Sequence, residues 1–141
     1  IKKLSLNNAA PAENGFSSNT LKFKNKVNEE IEVNAFRKFG DENYLDLYNI
    51  QLLKGRYANP SDTLTEIVIN EQLAKEFGLD IHEAIGQFVN VNDNIVPIVG
   101  VVKDFNISSL KTKISPVYMA YEKSNFAELS VKLNYDNNNR E

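Results

Sequence analysis

The residues able to move protons or hold a metal are few and scattered. The 141-residue chain has one histidine and no cysteine, which excludes a thiolate nucleophile, a disulfide and a cysteine metal site. His82 stands in the polar stretch from Asp80 to Glu83. A lone imidazole does not make a zinc site, and this one reads as a surface residue of a helical turn. The paired carboxylates that serve as acid and base in glycoside hydrolysis have local counterparts in Glu29-Glu30, Asp41-Glu42 and Asp80 with Glu83. Each pair falls where a cap, a turn or a polar strand edge accounts for it. Asn92-Asp93-Asn94 and Asp136-Asn137-Asn138-Asn139 lack the spaced ligands, central glycine and terminal glutamate of a calcium loop. The glycines are dispersed, leaving no phosphate cradle, and Ser108 and Ser109 lack a nucleophile elbow. No catalytic residue, metal or cofactor is expected.

The charge balance excludes a second class of function. With 16 basic and 19 acidic residues the net charge is −3, and the two signs are interspersed. A nucleic-acid partner is not expected. Lys22, Lys24 and Lys26 alternate with Leu21, Phe23 and Val27, the pattern of a solvated strand face rather than of a phosphate site. Apolar residues at 42% and charged residues at 25% are ordinary globular values, so one compact unit is expected, with room for two lobes. No apolar run approaches the roughly 18 residues of a membrane span. The first residue is Ile1 and no signal peptide follows it; the chain reads as a piece of something longer.

The elements that must position these side chains follow from periodicity. Ile1 to Leu6 alternates weakly, as a strand does, and Asn7 to Asn19 reads as a loop. Thr20 to Lys24 and Glu30 to Phe39 alternate apolar and polar residues around a polar turn, which predicts two half-buried strands. Asp41 is placed to cap a short helix containing Tyr44, Leu45, Leu47 and Tyr48. The apolar run Ile50 to Leu53 closes at Lys54, Gly55 and Arg56, and a turn-rich loop spans Ala58 to Asp62. Thr65 to Ile69 is a β-branched strand that enters a helix, Glu71 to Phe77, capped by Asn70 and ended by Gly78. A helical turn from Ile81 to Ile85 ends at Gly86. Gln87 to Val91 and Ile95 to Val102 flank Asn92-Asp93-Asn94 and predict a hairpin. Its second arm is apolar enough to be buried in part on both faces, with Pro97 marking an edge or a bulge. Lys103 to Ser115 is a polar connection, Val117 to Tyr121 and Glu128 to Leu133 are strands, and Asn134 to Glu141 is a tail.

A set of ordered phrases carries a resemblance. Asp41-Glu42-Asn43-Tyr44-Leu45 leads to Ile50-Gln51-Leu52-Leu53-Lys54-Gly55-Arg56. Then come Val68-Ile69-Asn70-Glu71, Ala84-Ile85-Gly86, Val99-Gly100-Val101-Val102-Lys103-Asp104-Phe105, Ser109-Leu110 and Pro116. In order and spacing they resemble the MacB-like periplasmic core domain of FtsX-like ABC-transporter permeases. The resemblance implies an α+β fold with a mixed or antiparallel sheet and short helices. It also implies an insertion between the first two membrane helices, facing the periplasm or extracellular space. The implied partners are a second permease copy, a cytoplasmic ATPase domain or subunit, and a periplasmic adaptor or other external protein. The implied role is non-catalytic: movement driven by ATP is passed outward to substrate export, lipoprotein handling or a partner. Arg56, Asp104, Phe105, Ser109 and Leu110 are the candidate interaction or structural-tie residues. Arg56 suits a tie through fixed-geometry hydrogen bonds, while Phe105 fits a packed anchor, the commoner use, or an exposed contact with another subunit. The alternative is a stand-alone extracytoplasmic sensor or small-ligand-binding domain, with a hydrolase third. The isolated domain is expected to be monomeric or weakly self-associating.

Overall fold

The computed structural model describes residues 2–7, 17–105, 114–123 and 128–133. In chain order the elements are β1 (Lys2–Asn7), β2 (Ser17–Lys24), β3 (Glu30–Phe39), α1 (Tyr44–Leu47), β4 (Leu52–Gly55), β5 (Ile67–Asn70), α2 (Glu71–Glu76), α3 (Ile81–Ala84), β6 (Phe88–Val91), β7 (Asn94–Val102), β8 (Val117–Ala120) and β9 (Glu128–Leu133). The mixed sheet and short helices are those expected. β2 begins at Ser17, so Ser17 to Asn19 leave the expected loop and join a strand paired with β3. The rest of that loop, most of the Lys103 to Ser115 connection and the tail from Asn134 lie outside the described residues.

The large sheet has the order β4-β7-β5-β8-β3-β2-β6, and β6 also pairs with β7. Six strands therefore close into a ring, with β4 attached along the same long β7. β3 with β8 and β5 with β7 are the parallel pairs; the other ladders are antiparallel. The hairpin between β6 and β7 turns at Asn92 and Asp93, whose φ values are 51° and 68°, with Val91 opposite Asn94. Both central residues are left-handed, the geometry of a type I′ turn, and asparagine and aspartate tolerate it best after glycine. Pro97 lies where β7 has β6 on one side and has not yet met β5, whose pairing with β7 begins at Ile98. There the ladder asks nothing of its missing N–H.

Alternation along the strands divides the apolar residues into two cores. Leu21, Phe23, Val33, Ala35, Ile67, Ile69 and Tyr118 face the first, which α2 and α3 complete with Leu73, Phe77 and Ala84. Val68, Val102, Val117 and Met119 face the second, against Tyr44 of α1. In β7 the alternation breaks. Ile98 and Val101 both face the first core and Val99 and Val102 the second. The register shifts by one between Ile67 and Val68, so Val99-Gly100 is a bulge that inserts one residue and reverses the faces.

Helix ends follow their local chemistry. Asn70 caps α2 by accepting from the Leu73 N–H at 3.0 Å. Gly78, at φ 78°, ends the helix as Gly78 and Leu79 donate back to Lys75 and Ala74, the Schellman pattern. Asp80 and Glu83 form a reciprocal capping box on α3, which accounts for that carboxylate pair and leaves His82 exposed beside it. Asp41 is not the cap of α1. Its carboxylate accepts from the Asn43 N–H at 3.0 Å, and that turn delays the helix, whose capping position is Asn43.

Candidate functional site

The candidate residues within the described range gather at two ties around β4, β5 and β7. Arg56 follows Gly55 at the end of β4 and is fixed through its backbone, its N–H donating to the Val99 carbonyl at 3.0 Å. Its guanidinium makes a fork to the two carboxylate oxygens of Glu66 at 3.1 and 2.6 Å and also donates to the Tyr57 carbonyl at 3.0 Å. Glu66 accepts in addition from the Asn59 N–H at 2.8 Å. The start of the turn-rich loop is thereby clamped at Arg56 and Asn59 to a carboxylate that follows the loop. The Arg56 hydrogen bond holds the Glu66 carboxyl below the ordinary carboxylate range, against a smaller opposing effect of burial.

A carboxyl with a depressed folded pKa contributes stability that is complete above its unfolded pKa and lost as pH falls through the folded one. Cleavage of the loop between Tyr57 and Glu66 by an acid-active protease should therefore accelerate as pH drops below the usual carboxylate range. Glu66→Gln should show rapid cleavage at neutral pH already, with little further change on acidification. Equal pH profiles for the two proteins would contradict the clamp.

The second tie is built on Asn70, which is completely buried. Besides capping α2, its Oδ1 accepts from the Val117 N–H at 3.0 Å and its Nδ2 donates to the Ser115 carbonyl at 2.9 Å. One side chain thus joins the start of α2 to the chain entering β8. Next to it, Asp104 Oδ1 accepts from the Gln72 N–H at 2.9 Å, while the Asp104 N–H donates to Glu71 Oε1 at 3.1 Å. Burial raises the Asp104 carboxyl above its ordinary value, with Glu71 adding to the rise and the Gln72 N–H opposing it. Phe105 is half-buried and packs against the second core, so its described contacts are those of an anchor. Ser109 and Leu110 lie outside the described residues, as do Ser108 and Asp136 to Asn139.

Two glycines of the resemblance, Gly55 and Gly100, are explained by close approach, whereas Gly86 has open space around it and a φ of 91°. A Cβ on Gly100 would strike the Arg56 carbonyl oxygen, and Gly55, at φ 76°, would strike that of Val99. The backbones of β4 and β7 cross there at a distance only glycine allows. Among the described residues no group of His, Asp and Glu could hold a metal ion.

The family model of the MacB-like periplasmic core domain matches residues 2–138. The chain belongs to that family. It is an extracytoplasmic domain of the MacB and FtsX-like permease type, on the periplasmic or extracellular side of the cytoplasmic membrane. The fold agrees with solved members of this MacB-like class. The periplasmic region of MacB from Actinobacillus actinomycetemcomitans superposes with a TM-score of 0.65 at 19% identity, covering 96% of this chain and 59% of that one. The extracellular domain of the noncanonic ABC-type transporter YknZ from Gram-positive bacteria gives 0.63 at 13% identity, covering 92% and 64%. The chain thus spans about three fifths of the structures it matches. No curated protein matches. No helix among the described residues is long and apolar enough to cross a membrane.

Reading the sequence left two things unseen in this MacB-like domain. Glu66 was not paired with Arg56, although opposite charges flanking a Pro-containing turn are a signal for such a clamp. The surface of the β6–β7 hairpin was also missed. The arm from Ile95 to Val102 is buried in part, as expected, yet Ile95 itself is 67% exposed, and Phe88 is 59% exposed. Apolar residues on both faces of a strand mark burial on both sides or an unpartnered apolar surface, and alternation does not distinguish the two.

Proposed function

We propose that the domain is a non-catalytic coupling element that passes ATP-driven movement of a permease to substrate export, lipoprotein handling or an external partner. The observation that carries this is the pairing of β1 with β9, Lys2 opposite Leu133 and Asn7 opposite Glu128. The first and last of the described strands run side by side, so a displacement that reached them from membrane helices would enter the domain as one movement. The closed ring of strands is paired at every seam and encloses two cores, and it would move as a unit. The partners in this reading are a second permease copy and an ATPase on the cytoplasmic side.

The test uses the full permease with its ATPase in lipid, carrying a spin label at exposed Asn34 of each copy. The distance between labels should change between the nucleotide-free and ATP-bound states. A distance that stays fixed through the cycle while transport continues would overturn the reading. Sensing of a small ligand would instead raise the melting temperature of the isolated domain when the ligand is added.

A further inference from the structure

One backbone carbonyl joins the paired β1–β9 strands to the clamped loop. β1 lies against α1, and Tyr44 of α1 is packed so closely on Gly40 that its ring leaves no room for a Cβ there. The Gly40 carbonyl in turn accepts from the Tyr57 hydroxyl at 2.7 Å, and the Gly40 N–H donates to the Ala120 carbonyl at 3.1 Å. Tyr57 follows Arg56, and its own carbonyl accepts from the Arg56 guanidinium at 3.0 Å. Direct contacts thus lead from β1 through Tyr44, Gly40 and Tyr57 to the fork between Arg56 and Glu66.

We propose that these contacts make the loop from Tyr57 to Glu66 a strap, held or released according to where α1 stands, with Tyr57 as its positioning residue. The links differ in strength, and the difference decides which of them yields. Tyr44 and Gly40 are buried, and close-packed groups pass a displacement on because they have no slack. The fork lies at the surface, with Arg56 half exposed, where water replaces a lost ion pair at little cost. A shift of α1 that draws the Tyr57 hydroxyl along with Gly40 also moves the Tyr57 carbonyl, one of the acceptors that fix the guanidinium. Displacement therefore ends at the fork in a change of state, paired or unpaired. One further bond, from the Lys123 N–H to the Ser61 carbonyl at 3.0 Å, ties the loop to the chain just after β8. Release at the fork loosens the loop without detaching it. The proposal rests on the coupling reading for the source of the displacement. Its test reads the loop rather than the movement of the whole domain, so either one can fail without the other.

The test follows the full permease with its ATPase in lipid by hydrogen exchange and mass spectrometry, in the nucleotide-free and ATP-bound states, with the Asn34 label distance measured alongside. Exchange in the segment from Tyr57 to Glu66 should differ by about tenfold or more between the states, while exchange in β5 stays the same. Tyr57→Phe removes only the hydroxyl and should reduce that difference to about twofold or less, with the label distance still changing. Glu66→Gln should give the faster exchange in both states. Labels that move while loop exchange stays constant would overturn the strap and leave the coupling reading standing. Loop exchange that responds while the labels stay fixed would do the reverse, and both readings fall if neither responds. A full response in Tyr57→Phe would overturn the route through Gly40. Should that variant fail to fold, the two states of the parent chain and of Glu66→Gln decide the matter.

Discussion

Asn70→Ala should lower the stability of the domain by about 3–7 kcal/mol, a large share of the roughly 5–15 kcal/mol that hold a domain together. The residue has no exposed surface, and its amide satisfies the Leu73 N–H, the Val117 N–H and the Ser115 carbonyl. Loss of a helix cap alone costs about 1 kcal/mol. Each buried partner left unpaired adds about 1–3 kcal/mol, and truncation leaves two beyond the cap. Urea denaturation should show the midpoint falling with an unchanged slope, because the surface exposed on unfolding is nearly the same.

Asn70→Asp separates the roles of the two amide ends. It keeps the two accepted bonds but sets a carboxylate oxygen against the Ser115 carbonyl in a fully buried site. Burial of that charge raises the folded pKa above the unfolded one, so the variant gains stability relative to the parent as pH falls and the acid can donate to Ser115. A midpoint for Asn70→Ala within about 1 kcal/mol of the parent would mean that the β8 entrance is held by something else.

Asn70 also shows where reading a sequence stops. Its role as a cap was legible, because a cap is chosen by residues three positions away, and the same holds for Gly78, the Asp80–Glu83 box and the Asn92-Asp93 turn. Its second role spans 47 residues, and nothing near Asn70 announces Val117. The ring closure has the same character. That β6 joins both β2 and β7 is decided by which edges meet in three dimensions, whereas alternation reports only which face of a strand is apolar. Lys38 makes the point from the other side. A lysine in a strand pattern reads as solvent-facing, yet Lys38 is only 1% exposed.

The polar end of the first core was equally hidden. Tyr118 donates to Asn19 Oδ1 at 2.7 Å, the Arg37 guanidinium reaches the same oxygen at 3.4 Å, and Asn19 donates on to Asn92 at 3.3 Å. Burial pushes the Tyr118 hydroxyl up to about 12. These four residues come from β2, β3, β8 and the hairpin turn, and no spacing in the chain relates them. Of the proposed ties, Arg56 was legible as a residue with a fixed-geometry fork, but its partner and the loop it closes became visible only with the fold.

The second large effect is expected at the bulge, and it tests whether the crossing of β4 over β7 is required or incidental. Gly100→Ala brings a Cβ onto the Arg56 carbonyl oxygen, with the Arg56 carbonyl carbon at 3.1 Å and nitrogen at 3.3 Å. All three are backbone atoms, and the Arg56 N–H is itself bonded to Val99, so no side chain can swing aside. Relief requires β4 to separate from β7. The cost should reach about 3 kcal/mol, the upper range for overpacking. Gly78→Ala supplies the contrast. Its φ of 78° also disfavours an L side chain, yet nothing lies within 4 Å of the added Cβ, so only the conformational penalty of about 1–2 kcal/mol applies. The two variants should differ in kind as well as size. Displacing β4 carries Arg56 away from Glu66, so Gly100→Ala should speed proteolysis between Tyr57 and Glu66 under conditions where both proteins remain folded, and Gly78→Ala should not. If both variants lose similar stability and leave the loop equally protected, the crossing tolerates a methyl group, and the glycine pair at positions 55 and 100 needs another cause.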